Sequence, residues 1–417
     1  MSSESNRTTL FVASCISLLT TSMIFTIRGD ILGDLETAFH LTHEQMGQIL
    51  SPAFWGFTIS IFICGFLNDL IGMKSLHALS SVGFIGGVGL VLIAPEPEVA
   101  QVSSIFATTG TVMLFSGFLL MGLSQGVVEG VINPLIATMY SDKKAHKLNV
   151  LHAWWPGGLI IGGVIALLLT KAQVSWQLKL GTIMVPAVVY LGIVLTQKYP
   201  KTERVTSGVS TPEMVSQIFR PLFLILFVCM WATAAAELGP DQWFPSIMGD
   251  LTNIAGINFL IYTAGLMFVL RLFAGPITHF IKPPMLLLIC AVLASIGLYW
   301  LGSLKPGTSV FMAFAAATVF GVGKTFFWPT MLAITSEQFP KGGSLAMCVM
   351  GGAGMLSIAF ILPMMGQRFD SLGAGAALQS VAILPAVLIV VFGGLVFYYK
   401  AKGGYTVKSL GEKSAED

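Results

Sequence analysis

The sequence predicts an all-α membrane protein with twelve transmembrane helices in two six-helix halves. Of its 417 residues, 55% are hydrophobic and only 10% are charged, whereas about a quarter of the residues of a soluble domain are charged. Twelve mostly apolar runs are each long enough for a membrane-spanning helix, which needs about 20 residues. One long polar connection separates the first six runs from the last six, a layout typical of transporters built from two repeats.

The runs contain many Gly and Pro residues, which membrane helices tolerate where neighbouring helices supply hydrogen bonds. The polar connection predicts a first bundle at 1–198, a linker at 199–217, a second bundle at 218–400 and a tail at 401–417. The predicted spans are residues 9–29, 44–68, 75–94, 107–139, 148–170, 178–198, 219–240, 254–280, 284–303, 307–335, 343–366 and 375–399.

The distribution of positive charge predicts the orientation of the chain. With an even number of spans, both termini lie on one side of the membrane, and most of the 22 Lys and Arg residues fall in the loops, linker and ends of that side. Loops rich in Lys and Arg remain in the cytoplasm. We therefore expect a multi-pass plasma-membrane protein, in a bacterium one of the inner membrane, with both termini in the cytoplasm.

No pattern in the sequence indicates enzymatic or nucleotide-driven chemistry. The chain has no phosphate-binding loop, no metal-ligand spacing and no Ser-His-Asp set. We therefore expect no enzyme, no cofactor, no metal and no nucleic-acid partner. An ion gradient remains as the source of energy, so the expected partners are a small solute, protons and the lipid bilayer, and the expected state is a monomer.

A carboxylate lies in the middle of the fourth predicted span, within GLSQGVVEGVINPLIATMY. Gln125, Glu129 and Asn133 are spaced four apart, so they share one face of a helix. Ionisable groups at bilayer depth usually face a bundle interior or a water-filled path and are typically functional. A desolvated carboxyl group is more easily protonated. Glu129 is therefore a candidate for proton coupling, with a structural interhelical hydrogen bond as the alternative.

The second half has its own polar segment, WATAAAELGPDQW at 231–243. Glu237 and Asp241 fall on one face of a helix, and Pro240 could break that helix. A broken helix at mid-membrane exposes backbone groups to a ligand. We expect Glu237 to face a cavity, whereas Asp241 could equally be an acid of the outer loop.

Two basic residues lie inside predicted spans of this half. A lone membrane lysine usually has a carboxylate partner, and for Lys324 we expect Glu237 first and Glu129 second. Arg271 is expected to be structural, near a helix end from which its side chain can reach the interface.

Indole rings beside polar side chains are typical of sugar sites, because a pyranose face stacks on indole and its hydroxyls need donors and acceptors. The alternatives are the interfacial aromatic belt for the tryptophans and a hydrogen-bonded core residue for the histidine. The candidate solute-binding residues are Gln125, Asn133, His152, Trp155, Glu237, Gln242, Lys324 and Trp328.

The segment GFLNDLIGMK, which follows the second span, resembles the signature of the major facilitator superfamily. In that family a Gly permits a tight turn, and an Asp bonds to neighbouring helix ends in one gating state. Leu70 and Met73 stand where the family usually has basic residues. The resemblance implies the twelve-helix major facilitator fold and gating roles for Gly65, Asp69, Gly72 and Lys74.

Two further segments resemble the fucose–proton symporter branch of that superfamily. In this branch a helix-four Glu precedes an Asn-Pro pair, as in VEGVINP, and a helix-one Asp is followed by Ile-Leu, as in RGDILGDLETAF. The resemblance implies that Glu129 and Asp30 carry proton coupling. The polar residues of the branch's helix five are replaced by His152 and Trp155, so the identity of the sugar does not transfer.

These patterns lead to one main functional hypothesis and two alternatives. The main hypothesis is proton symport of a sugar or similar polyhydroxylated solute by alternating access, with the solute between the halves. The first alternative is an organic anion, a sugar acid or carboxylate, held by Arg28 and Lys324. The second is a drug/proton antiporter on the same fold. Asp30 could also form an interfacial ion pair with Arg28 instead of binding protons.

Overall fold

The computed structural model describes residues 4–99, 101–252 and 256–408, and all regular secondary structure in these ranges is helical. A π-helical turn at Asn68–Gly72 joins α4 to α5, and a 3-10 turn at Pro340–Gly342 precedes α19. The helices are α1 Glu4–Asp30, α2 Leu32–Ala38, α3 His43–Leu50, α4 Pro52–Leu67, α5 Met73–Leu92, α6 Thr109–Met139, α7 Lys144–His152, α8 Trp154–Lys171, α9 Trp176–Gly181, α10 Met184–Thr196, α11 Glu203–Thr206, α12 Thr211–Gln217, α13 Pro221–Leu251, α14 Ile257–Leu272, α15 Ala274–Phe280, α16 Pro283–Gly302, α17 Val310–Lys324, α18 Phe327–Gln338, α19 Gly343–Leu372 and α20 Ala374–Ala401.

The described ranges contain ten helical stretches that are long and apolar enough to cross a membrane. An eleventh is the pair formed by α14 and α15, which is bent by 64°. One of the ten, Gln45–Leu92, is 48 residues long. At 1.5 Å per residue it would extend about 70 Å, roughly twice the thickness of the hydrocarbon core.

This long stretch reverses direction, because α4 and α5 run oppositely along α6. Along the contacts between α4 and α6, the residue numbers of both helices increase together, so these two helices are parallel. Along the contacts between α5 and α6, the numbers of one helix increase while those of the other decrease, so these two helices are antiparallel. The chain turns at Gly72, whose φ of 84° lies in the left-handed region that glycine adopts readily. The stretch is therefore two spans, which accounts for the twelfth predicted helix. The contacts are Ala53 with Gly122, Phe57 with Gly126, Gly83 with Ser124 and Gly87 with Met121.

The helices form two compact units. The first comprises Met1–Leu135 and Trp154–Thr202, and the second comprises Ile136–Ala153 and Glu203–Asp417. In the first unit α1 packs on α8 and α10, and α5 packs on α10. In the second, α16 packs on α17 and α20, α13 packs on α19 and α20, and α7 packs on α18.

Prolines inside the helices change the backbone hydrogen bonding. A proline has no N–H, so the carbonyl four residues earlier loses its usual helical donor. Pro134 does this to Gly130, whose oxygen accepts a hydrogen bond of 2.6 Å from Asn68 Nδ2. Pro240 does not interrupt its helix, since α13 runs through it from Pro221 to Leu251. The prediction of a break there is wrong, because a membrane helix can continue through a single missing bond.

The chain beyond α20 returns to the end of α18. The Tyr405 hydroxyl donates to Glu337 Oε2 at 2.6 Å, and the Lys408 N–H donates to the Glu337 carbonyl at 2.9 Å. Burial and the adjacent Glu337 carboxylate raise the pKa of Tyr405 well above its ordinary value. The first part of the predicted tail is thus docked on the second unit, and residues 409–417 lie outside the described residues.

Candidate functional site

The polar face of α6 is buried in the first unit. Glu129 is 3% exposed, and Gln125 and Asn133 are buried beside it. Asn133 Nδ2 donates to Glu129 Oε2 at 2.7 Å, while Gln125 Nε2 donates to the Thr21 carbonyl on α1 at 3.1 Å. An amide can donate to a carboxylate and can also accept from a carboxylic acid. Asn133 therefore suits both protonation states of Glu129.

Asp30 lies at the exposed end of α1 and forms an ion pair with Lys179. The distance from Lys179 Nζ to Asp30 Oδ2 is 3.0 Å, and the same ammonium lies 3.6 Å from Asp34. The alternative of an ion pair between Asp30 and Arg28 is wrong. Residues two apart on a helix point about 200° away from each other, so the two side chains leave α1 on different faces.

Arg28 is buried between aromatic rings of the first unit. Its side chain is 5% exposed, and its guanidinium carbon lies 4.9 Å from the ring centre of Phe54 and 5.6 Å from that of Phe25. The Phe25 ring in turn lies 6.0 Å from the ring of Trp155. Within the described ranges Arg28 forms no salt bridge.

Four buried charged residues come together in the second unit, and we call them the charge cluster: Glu237 and Asp241 on α13, Arg271 on α14 and Lys324 at the end of α17. Arg271 Nη2 donates to Glu237 Oε1 at 3.0 Å. Lys324 Nζ is paired with Asp241 Oδ1 and lies 3.4 Å from Thr263 Oγ1. The charge cluster therefore consists of two ion pairs, and its formal charges sum to zero.

One sequence-based expectation about this cluster is wrong, and one alternative that the sequence left open is decided. Lys324 pairs with Asp241 instead of Glu237, and Asp241 is buried instead of lying in an outer loop. Arg271 lies in the last turn of α14, near a helix end as expected, but its side chain is 1% exposed and is buried in the ion pair with Glu237. The physical reason is that both carboxylates lie on one face of α13, and Arg271 contacts the one that the sequence favoured for Lys324.

Arg271 also bonds two backbone carbonyls that lack their usual helical donor. Its Nε donates to the Thr325 carbonyl at 2.6 Å and its Nη1 to the His152 carbonyl at 3.0 Å. Pro329 and Pro156 follow these two residues by four positions and have no N–H to donate. The guanidinium thus supplies donors at the junction between α17 and α18 and at the end of α7.

Six polar side-chain atoms of the second unit are buried without a hydrogen-bond partner among the described residues. Two of them are the acceptor Oε2 of Glu237 and the donor Nε1 of Trp328. The Trp328 ring lies against Gly354 of α19. Since buried polar atoms nearly always have a partner, this acceptor and this donor remain available to a ligand or to water.

The other predicted binding residues differ in their surroundings. His152 is buried at the end of α7, and Trp155 is half-buried against Phe25. Gln242 is half-buried on α13. The neighbouring Trp243 donates from Nε1 to the Leu362 carbonyl at 3.3 Å, which gives its indole a structural role.

The predicted gating segment lies where α4 turns into α5. Asp69 Oδ1 accepts a hydrogen bond of 2.6 Å from Thr202, and Lys74 Nζ donates to the Leu195 carbonyl at 2.8 Å. Gly65 is buried in α4, and Gly72 makes the turn. These contacts connect the segment to the end of α10 and to the chain that follows it.

Comparisons with known proteins agree with this architecture. Residues 10–304 match the model of the Major Facilitator Superfamily. A curated relative, the protein TsgA homolog of Buchnera aphidicola subsp. Acyrthosiphon pisum (strain Tuc7), is 25% identical over 253 residues. That match covers 60% of this chain, and the chain spans 60% of the length of the relative.

Two solved structures share the fold. A variant of the Escherichia coli fucose:proton symporter FucP is 15% identical, with a TM-score of 0.73 over 92% of this chain and 98% of that one. The proton:xylose symporter XylE, bound to 6-bromo-6-deoxy-D-glucose, is 14% identical, with a TM-score of 0.70 over 95% of this chain and 97% of that one. The family match covers more than half of the chain, and the helical architecture agrees with it. The protein therefore belongs to the Major Facilitator Superfamily, with helices long and apolar enough to cross a membrane several times.

Proposed function

We propose that the protein is a secondary active transporter that moves a sugar or similar polyhydroxylated solute together with protons by alternating access. The observation that carries this proposal is the buried Glu129 with the Asn133 amide on its carboxylate. A charged carboxylate is unfavourable in an occluded site. Proton uptake at Glu129 removes that charge before the site closes, which couples closure to protonation. Asp30 is the second candidate for a protonation site.

The second unit supports a hydroxyl-bearing cargo. A hydroxyl group both donates and accepts, and Glu237 Oε2 and Trp328 Nε1 offer an acceptor and a donor. The charge cluster is neutral as a whole, which suits an uncharged part of the cargo. The proposed solute-binding residues are Gln125, Asn133, His152, Trp155, Glu237, Gln242, Lys324 and Trp328.

The gate and the orientation complete the proposal. We assign gating to Gly65, Asp69, Gly72 and Lys74, which lie at the turn between α4 and α5. We place the two halves at 1–198 and 218–400 and both termini in the cytoplasm, with the bacterial inner membrane as the location. The named activities of FucP and XylE, fucose:proton and proton:xylose symport, support sugar and protons as partners.

The proposal is tested by Glu129→Gln in proteoliposomes. Gln keeps the size of the side chain but cannot bind or release a proton. We expect the variant to lose uptake driven by a pH gradient while it still exchanges labelled for unlabelled solute across the membrane. The solute is first identified by thermal-shift screening of the purified protein with sugars.

The matched control is Glu98→Gln, which changes an exposed acid and should leave both activities intact. Uphill uptake by Glu129→Gln at the wild-type rate would rule out Glu129 as the coupling residue. Loss of exchange as well would show that Glu129 is needed for solute binding or for the conformational change. That result would contradict the assignment of Glu129 to proton coupling.

A further inference from the structure

Arg28 differs from the buried cations of the charge cluster because no carboxylate of the described residues neutralises it. Arg271 and Lys324 each have an acidic partner, whereas Arg28 forms no salt bridge within the described ranges. A buried charge without a partner is destabilising. Such a residue calls for a ligand that supplies the missing charge.

The surroundings of Arg28 hold its guanidinium in place without using its N–H groups. The rings of Phe54 and Phe25 lie 4.9 Å and 5.6 Å from the guanidinium carbon, within the range of cation–π attraction. An aromatic ring attracts the cation but accepts none of its N–H groups in a fork geometry. The planar N–H fork therefore remains suited to a carboxylate, which it can bind through two parallel hydrogen bonds.

No acidic side chain of the described residues is paired with the guanidinium, and the Arg28 side chain is only 5% exposed. The nearest acid along the chain, Asp30, is paired with Lys179 and points away from Arg28. A carboxylate bound at Arg28 would therefore not compete with an existing ion pair.

We propose that Arg28, held by Phe25 and Phe54, binds the carboxylate of an anionic cargo, and that the cargo is a sugar acid instead of a neutral sugar. This inference rests on the proposed function for the polyhydroxylated part of the cargo. Trp155, which packs against Phe25, places an indole next to this carboxylate subsite.

The experiment measures equilibrium binding to the purified full chain with matched pairs of solutes, without any ion gradient. The pairs are D-glucuronate with D-glucose, D-galacturonate with D-galactose, and D-gluconate with D-sorbitol, read out by thermal shift and by calorimetry. We expect the wild type to prefer at least one acid over its neutral counterpart by roughly 10- to 100-fold, the range of a charge-assisted hydrogen bond.

Arg28→Gln should abolish that preference, so that the acid binds no better than its neutral counterpart. Arg28→Lys should keep part of the preference because it keeps the charge without the fork. The matched control, Arg368→Gln, removes an exposed arginine and should change nothing. In the absence of solute, Arg28→Gln should also raise the melting temperature, since it removes an uncompensated buried charge.

Two results would overturn the inference: a wild type that binds no acid of the panel more tightly than its neutral counterpart, or an Arg28→Gln variant that keeps the preference. The first comparison needs no variant, so it stands even if Arg28→Gln does not fold. Failure of proton coupling in Glu129→Gln appears only in gradient-driven uptake. The two proposals can therefore fail separately.

Discussion

Arg271 donates to acceptors on three segments of the second unit: the Glu237 carboxylate, the His152 carbonyl and the Thr325 carbonyl. Its guanidinium is fully buried and serves all three through different nitrogens. Removal of one partner from a buried ion pair leaves an uncompensated charge, which is more destabilising than the loss of an exposed pair. The role of Arg271 is therefore best tested by stability.

We expect Arg271→Met to lower the free energy of unfolding by about 3–5 kcal/mol, the range for one partner removed from a buried pair. The reason is that Glu237 would keep its charge in the core, and two carbonyls would lose a donor. Denaturant titration in detergent measures the change. Glu237→Gln in the same background should recover part of the loss, and an Arg271→Met variant as stable as the wild type would contradict the assignment.

The pairing of acids with bases inside the charge cluster could be predicted only in part from the sequence. The sequence identified Glu237 and Lys324 as buried functional candidates, and both are buried in the second unit. It could not decide which acid meets which base, because Glu237 and Asp241 are one turn apart and the depth of Arg271 depends on how α14 packs. A signal was nevertheless present in the prolines at 156 and 329, which predict two carbonyls in need of a donor.

At the scale of a helix, Asn68 and Pro134 form a linked pair. Pro134 withholds the N–H that would bond Gly130, and the Asn68 amide on the preceding π-helical turn donates to that carbonyl instead. The contact ties the turn before Gly72 to the middle of α6. This link joins the proposed gating segment to the helix that carries Glu129.

We expect Asn68→Ala alone to destabilise the protein by about 1 kcal/mol, the typical value of one hydrogen bond. Pro134→Ala restores an N–H that can bond the Gly130 carbonyl within α6. The double variant should therefore lose less stability than the sum of the two single variants. Thermal unfolding of all four proteins measures this difference, and strict additivity would show that the two residues act independently.

The helices themselves were largely predictable from composition and length. The length of an apolar run indicates whether a segment can cross a bilayer. Each of the twelve predicted spans corresponds to helical segments of the described ranges. The reversal at Gly72 was also foreseeable, since the family signature places a glycine at a tight turn. The continuity of α13 through Pro240 was not, because it depends on neighbouring helices that a single sequence does not reveal.

At the scale of the whole molecule, protonation of Glu129 alone, together with the charge of the cargo, would determine the charge that crosses the membrane in one cycle. The charge cluster contributes nothing, since its two ion pairs sum to zero. A sugar acid carries one negative charge, and a proton on Glu129 carries one positive charge. One acid with one proton is therefore an electroneutral cargo, whereas a neutral sugar with a proton would be electrogenic.

We expect uptake of the sugar acid into proteoliposomes to follow the pH gradient and to be insensitive to membrane potential. One elementary charge moved through 100 mV corresponds to about 2.3 kcal/mol, so electrogenic uptake would show a strong response. A potassium gradient with valinomycin sets the potential, and radiolabelled solute measures accumulation. Accumulation that rises steeply with a negative interior would contradict one-to-one transport of an acid with a proton.

The contacts of Arg271 with backbone carbonyls also bear on how this sequence can change. Any amino acid supplies a carbonyl at positions 152 and 325, so a substitution there leaves both hydrogen bonds possible. The need for a donor is created elsewhere, by Pro156 and Pro329, and is met by the arginine. These two contacts therefore depend on the identity of three residues, Arg271, Pro156 and Pro329. They do not depend on the identity of the acceptor residues at positions 152 and 325.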